Sequence, residues 1–338
     1  MGRSRRSRAR RAAVGGVATL LLLGIGYYVG LLVYVDNAVE RSDVLRLSGP
    51  EIISQERQLD AENFLLVGSD GGDRDTTILA HLSHDGRQAV VVVFPGGAFV
   101  DVPSCEDADG QPTEPYSGPF NTVYEIGGAG CLVRTVQVLT GLRINHYVQM
   151  DIAAFPAMVD AVGGVPMCLG SPVRDQTGAL DLPMGSSVIS GQQTLPLLRL
   201  ETQRGSAETD RIERQQQFLA AMVDRSLAPR TVFNPVRLTQ FVTAAARSLT
   251  LDPDTSLGDL RNLIELLGDL TSESVVLLTA PISDPDFTPA GSSSSYLLLD
   301  EQRGQQLYQS IIEDTAVAAP AGAPGAAEAS AAAERSCS

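Results

Sequence analysis

The sequence predicts an α/β sandwich behind a single apolar anchor helix, and three observations predict it. Residues 12–35, AAVGGVATLLLLGIGYYVGLLVYV, carry no charge. Between residues 61 and 314, short apolar runs of strand length alternate with segments whose apolar residues recur at helical spacing. No polar linker longer than a few residues interrupts that stretch, so it reads as one domain.

Each element follows from its local pattern. Residues 1–11 are strongly basic, MGRSRRSRARR, and the positive-inside rule keeps them cytoplasmic. The following apolar stretch, about 24 residues at 1.5 Å each, matches a hydrocarbon core of roughly 30 Å. It exceeds the apolar region of a cleaved signal peptide, so a retained transmembrane signal-anchor over 12–35 is expected, with the rest of the chain extracytoplasmic. Residues 36–60 are polar without sustained periodicity, which predicts a stalk.

The domain, 61–314, opens with three strands, ENFLLVGSD, TTILAHLS and AVVVVFP, apolar enough to lie inside a sheet covered on both faces. CLVRTVQVLTG then reads as a helix with a glycine stop, HYVQMD as a strand, and IAAFPAMVDAVGG as a helix closed by two glycines. GALDLPMGSSVISGQQTLPLLRLETQ holds two extended segments and a helix start, and TDRIERQQQFLAAMVDRSLA is amphipathic. Helices over about 234–247 and 256–270, a strand in SVVLLTAPI and a helix near 300–313 complete it. Residues 315–338 form an Ala/Pro-rich tail whose composition predicts disorder.

Composition excludes several functions. The chain has no Lys, so Schiff-base chemistry and a Walker-type phosphate clamp are ruled out. Its net charge is −15, and the part beyond the basic amino terminus is more acidic still, which excludes non-specific binding of nucleic acid. There is no G-x-S-x-G elbow and no dinucleotide fingerprint, and His81, His84 and His146 have no triad or metal spacing, so they read as structural. Of four cysteines, Cys105 and Cys131 flank a loop rich in Pro, Gly and Asp. A disulfide between them is expected, and closing that loop contributes about 3 kcal/mol. Cys168, in the apolar run GGVPMCL, reads as a small buried hydrophobe, and Cys337 as a free or intermolecular thiol.

What remains for chemistry is a set of acids and arginines: Asp70, Asp73, Arg74 and Asp75 in GSDGGDRDT, Arg199 in LLRLE, and Arg211 and Arg214 in TDRIERQQQ. Loop carboxylates hold divalent cations and guanidiniums pair bidentately with phosphate oxygens, so together they suit a pyrophosphate. Arg211 and Arg214 read equally well as solvated charges in the first turn of a helix.

The ordered blocks NFLLVGSD, DT, FVDVP, YVQMDIAAFPAMVDAVGGVPMCL, ALDLPMG, SGQQTLPLLR and DRIERQQQFL resemble the LytR-CpsA-Psr family across the whole outer domain. The resemblance implies an α/β/α sandwich around a mixed central sheet. It also implies a membrane-anchored cell-envelope enzyme that transfers glycopolymers from a polyprenyl-pyrophosphate carrier to peptidoglycan, with Mg²⁺ at the pyrophosphate. Carried over by position, Asp70 and Asp75 would hold the metal. Arg74, Arg199, Arg211, Arg214 and Gln215 would bind the pyrophosphate, and Asp75, Arg199, Arg211 and Arg214 would be catalytic. The implied partners are a polyprenyl-linked glycan, peptidoglycan and the cell membrane.

The chain departs from that family pattern where the family reads Pro-Arg-Asp-Thr after the third strand. Here Pro95 is followed by Gly96, Gly97 and Ala98. Phe120 stands at the family's Lys position, Glu201 at the second Arg of its Arg-x-Arg, and Asp73 at the Arg before the DT aspartate. Four lost basic positions open a second reading, a non-catalytic polyprenyl-phosphate-binding or scaffold protein that assists an active paralogue.

Overall fold

The computed structural model describes residues 33–59, 62–69, 76–106, 110–169, 172–174, 180–199, 228–256, 258–260 and 275–317, with shorter pieces at 22, 24, 26–31, 178, 217–218, 221–222 and 224–226; of Arg199 it describes the backbone alone. Among these residues, no helix is long and apolar enough to cross a membrane. Residues 12–21 of the expected span lie outside them.

A seven-stranded mixed sheet organises the domain. Its order is β1 (Glu40–Arg41), β12 (Leu249–Leu251), β7 (His146–Asp151), β2 (Glu62–Ser69), β3 (Thr76–Leu82), β4 (Ala89–Phe94) and β13 (Val275–Thr279). β2 runs parallel to β7 and antiparallel to β3, and β3 antiparallel to β4. The three opening strands thus form a meander, and the predicted apolar runs supply it. Alternate residues serve opposite faces, as a strand's period of two requires. Leu65, Leu79 and Val92 join one core, while their neighbours Phe64 and Ala80 join another.

The first face is covered by helices α2 (Thr122–Thr140) and α6 (Glu301–Ile312), through Val123, Leu132, Val136, Tyr308 and Ile311. A four-stranded sheet, β14 (Ile282–Phe287), β15 (Tyr296–Leu299), β5 (Ala98–Val102) and β6 (Tyr116–Pro119), adds Ala98, Val100 and Val102 to the same core. The second face is covered by Val35 of α1, helical at 26–31 and 33–38, by Val39 just after it, and by Val242 and Ala246 of α5 (Pro235–Arg247). A separate core lies between α3 (Phe155–Val162), α4 (Gly191–Arg199), α5 and the hairpin of β8 (Val165–Leu169) with β11 (Gly185–Ile189). The short pair β9 (Val173–Arg174) and β10 (Asp181–Leu182) closes that core with Val173 and Leu182.

The segment expected to be a stalk, 36–60, is woven into the domain instead. β1 pairs with β12 at the sheet edge, Val44 and Leu45 pack against the first core, and Gln58 is 1% exposed. The Gln58 amide donates to Gly141 O at 3.0 Å and accepts from Arg143 N at 2.7 Å. Polar residues here satisfy backbone groups at the end of α2, which sequence polarity alone reads as solvation.

Cys105 and Cys131 are bonded, with Cα atoms 5.3 Å apart, as expected. The bond ties the loop after β5 to α2. Gly127 and Gly128 make the approach possible. A Cβ at Gly127 would lie 2.5 Å from Cys131 Cβ, and Gly128 adopts φ 63, ψ −164, a conformation open to glycine, where α2 kinks. Cys168 departs from the expectation of a lone apolar thiol, because it too is disulfide-bonded.

His81 has the structural role expected of it. His81 is buried between Asn63 Oδ1, 2.8 Å from Nδ1, and Asp314 Oδ1, 3.3 Å from Nε2. Burial lowers its pKa below the ordinary 6.5, against the opposing pull of Asp314. The folded state therefore binds fewer protons than the unfolded chain as pH falls through about 6.5, and stability declines there. Urea melts between pH 8 and 5 are expected to show that decline, and His81→Gln to flatten it; an unchanged slope would assign the loss to other groups.

Candidate functional site

One end of the sheet collects the loops that the sequence marks for function. Glu40, Thr250, Gln149, Val67, Thr77 and Phe94 form a continuous rung across six strands. Just beyond it lie the end of β2 at Ser69, the end of β7 at Asp151, and the turn Pro95–Gly97 after β4. The β2–β3 connection, residues 70–75, leaves from this same end because Gly68 pairs with Thr76. Asp70, Arg74 and Asp75 therefore belong to a loop rooted here, although these residues themselves lie outside the described part of the chain. Arg211, Arg214 and Gln215 also lie outside it.

Arg199 is the last residue of α4, and local packing explains how that helix is set. α4 starts at Gly191, whose N–H donates to Asp160 Oδ1 of α3 at 2.7 Å. A Cβ at Gly191 would strike the carbonyl of Pro156, so only glycine lets α4 begin this close to α3. The side chain of Arg199 is not among the described parts.

Sequence reasoning missed the polar floor of this end. Tyr124 of α2 and Tyr147 of β7 both donate their phenol hydrogen to Gln149 Oε1, each at 2.9 Å. With its carbonyl committed to two phenols, Gln149 can meet a ligand only as an N–H donor. The available signal was Gln149 itself, a polar residue on the core-facing side of HYVQMD. Asp151 follows on the same side and spends Oδ1 on Ala153 N at 2.8 Å. Among the described residues, no group of three or more His, Cys, Asp or Glu could hold a metal ion.

The glycine turn is an open wall of this site. Gly96 O accepts from Asn121 N at 2.9 Å, and Gly97 O from Leu297 N at 3.0 Å, so backbone alone fixes its shape. Neither glycine is in the positive-φ region, and a Cβ at Gly97 would meet nothing within 4 Å. Backbone conformation does not require glycine at either position, and at Gly97 the surroundings do not exclude a side chain. Phe120, beside it, is 3% exposed and stacks on Phe94 with ring centroids 5.5 Å apart. Phe120, the position at which the resemblance leads to the expectation of a cation in the family, is thus a core aromatic.

Comparison with known proteins decides the lineage: the family model described as the LytR_cpsA_psr family matches residues 31–312. This chain belongs to that family. The match starts inside α1 and takes in the segment read as a stalk, in agreement with its packing. "Probable cell wall biosynthesis protein LcpB" of Corynebacterium glutamicum is 26% identical over 322 residues, covering 89% of this chain and 72% of that protein. The polyisoprenyl-teichoic acid–peptidoglycan teichoic acid transferase TagT of Bacillus subtilis is 22% identical over 326 residues, covering 90% and 94%. A solved structure of TagT bound to LI-WTA has a TM-score of 0.50 at 20% identity, covering 82% of this chain and 99% of that one. That likeness supports the LytR_cpsA_psr fold, a mixed central sheet with helices on both faces.

Proposed function

We propose that this LytR_cpsA_psr protein works in cell-envelope assembly, at the outer face of a membrane it is anchored in by residues 12–35. Its substrate would be a glycopolymer on a polyprenyl-pyrophosphate carrier, and its acceptor peptidoglycan. The single observation that carries this reading is the family match over 31–312, which includes every loop of the site end. The names of LcpB and TagT place those relatives in cell wall synthesis and teichoic acid transfer.

In the transfer, a peptidoglycan sugar hydroxyl attacks the phosphorus nearest the glycan. A new P–O bond forms, the P–O bond to the carrier breaks, the hydroxyl proton goes to solvent or a loop carboxylate, and polyprenyl phosphate leaves. Little covalent help is needed from the protein, so rate depends on positioning and neutralisation of charge. Arg74, Arg199, Arg211, Arg214 and Gln215 would hold the phosphates. Mg²⁺, if bound by Asp70 and Asp75, would neutralise developing charge. Gln149 would add a neutral N–H donor.

A second reading keeps the fold and carrier binding without turnover, and the Gly96–Gly97 turn with the buried Phe120 favours it. Both predict binding of lipid pyrophosphate. Full-length protein in bilayers, given a polyprenyl-pyrophosphate glycan, a peptidoglycan acceptor and Mg²⁺, separates them. Release of polyprenyl phosphate that stops on chelating Mg²⁺ establishes transfer; saturable binding without release establishes the carrier-binding role; neither result sinks both.

A further inference from the structure

The tip of α5 presents an apolar surface that no other part of the described chain covers. Phe233, Asn234, Pro235 and Val236 are exposed in sequence, Phe233 to 78% and Val236 to 63%. This tip lies against the apolar segment 12–35. Tyr27 donates its phenol hydrogen to Pro235 O at 2.8 Å and has Thr239 Oγ1 at 2.7 Å, while Tyr28 donates to Val232 O at 3.3 Å. Farther along, Val35 and Val39 share a core with Val242 and Ala246. The helical residues 26–38 and α5 therefore run parallel, and the start of α5 lies beside the end of that segment that leads into the anchor.

Distance along the anchor then sets the depth of this tip. Tyr27 precedes the first charged residue after the apolar segment, Asp36, by nine positions. At 1.5 Å per residue that is about 13 Å. The exposed faces of Tyr28, Val29, Val33 and Tyr34 continue the apolar surface from the α5 tip along the anchor. Tyrosines are favoured at the boundary between hydrocarbon and water, where the ring is buried and the hydroxyl hydrogen-bonded.

Charge selects the kind of membrane. From Arg225 to Leu251 the chain has four arginines, Arg225, Arg230, Arg237 and Arg247, and no acid, within a protein of net charge −15. Arg230 and Arg247 are exposed; Arg225 and Arg237 are partly buried. A local basic stretch on an acidic protein is attracted to anionic headgroups and little else nearby. The woven-in segment 36–60 supplies no spacer to lift the domain away.

We infer that the Phe233–Val236 tip, with Arg230 beside it, docks into an anionic bilayer surface next to the anchor. The domain is then held at two points and kept from swivelling on its helix. The inference rests on the reading of residues 12–35 as the membrane anchor.

The absence of tryptophan makes a clean test. Phe233→Trp and Val236→Trp each give a single-Trp full-length protein, and Leu277→Trp, exposed on β13 at the opposite sheet edge, is the reference. Each is reconstituted in phosphatidylcholine vesicles with and without phosphatidylglycerol, carrying bromine-labelled acyl chains. The expected result is quenched, blue-shifted emission from positions 233 and 236 that deepens with phosphatidylglycerol and weakens in an Arg230→Glu background, with position 277 unquenched. If positions 233 and 236 emit like position 277, or quench equally without phosphatidylglycerol, the docking proposal is overturned. Flotation of the same samples tests the anchor separately: protein that floats with vesicles yet shows no quenching refutes docking alone, whereas protein that does not float refutes both.

Discussion

Gly96→Arg is expected to tighten binding of a polyprenyl-pyrophosphate glycan about tenfold or more. Neither glycine of the turn has a positive φ, and the neighbouring position Gly97 is open, with nothing within 4 Å of an added Cβ. It sits at the sheet end where the 70–75 loop is rooted, and its carbonyls, not its side chains, hold it in place. A charge-assisted hydrogen bond to phosphate contributes about 1.5–3 kcal/mol, and each 1.4 kcal/mol is a factor of ten. Titration calorimetry on bilayer-reconstituted protein reads the change whether or not turnover occurs. Arg211→Ala should move affinity the other way by a comparable factor. An unaltered dissociation constant in Gly96→Arg would show that the phosphates bind away from this turn.

The second large effect concerns stability. Asp252 is fully buried, and its carboxylate accepts Tyr147 N at 2.9 Å, Asp254 N at 3.0 Å and Thr255 N at 2.9 Å. It joins the end of β12 to the start of β7, and its own carbonyl accepts from Arg41 at 3.0 Å, which secures β1. Asp252→Ala strands three buried N–H donors at about 1–3 kcal/mol each, so a loss of about 3 kcal/mol or more is expected. Against a total of about 5–15 kcal/mol, that is a large fraction. Asp252→Asn keeps the carbonyl oxygen and should lose distinctly less. Equal losses in the two variants, measured by urea unfolding, would show that shape rather than acceptor number matters here.

The strands were legible because they are strongly apolar, whereas the antiparallel order of the first three is set by their pairing and leaves no mark in that apolarity. The Cys105–Cys131 bond was legible from the loop it closes. The roles of 36–60 and Cys168 were not. Gln58 and Arg41 look like solvated polar residues until a folded partner offers Gly141 O or Asp252 O, and such long-range backbone satisfaction leaves no local periodicity. Cys168 in an apolar run has the same appearance whether bonded or not. At the site, the sequence named charged residues and overlooked Gln149, Tyr124 and Tyr147, because a neutral hydrogen-bonded cluster carries no charge pattern. The glycine turn was read as a lost guanidinium, and its backbone, which has no positive φ, neither requires glycine nor shows what side chain once stood there.

The register of β1 has a further consequence. Glu40 stands on the same rung as Gln149 and Val67, so β1 begins at the end of the sheet where the substrate loops emerge. Under the proposed anchorage, the reactive diphosphate of a lipid-borne donor would be brought to those loops from the membrane in which the protein is itself held. Its long isoprenoid tail could then pass from the acyl chains to an apolar cleft of the protein without entering water, sparing about 0.8 kcal/mol for each methylene so shielded.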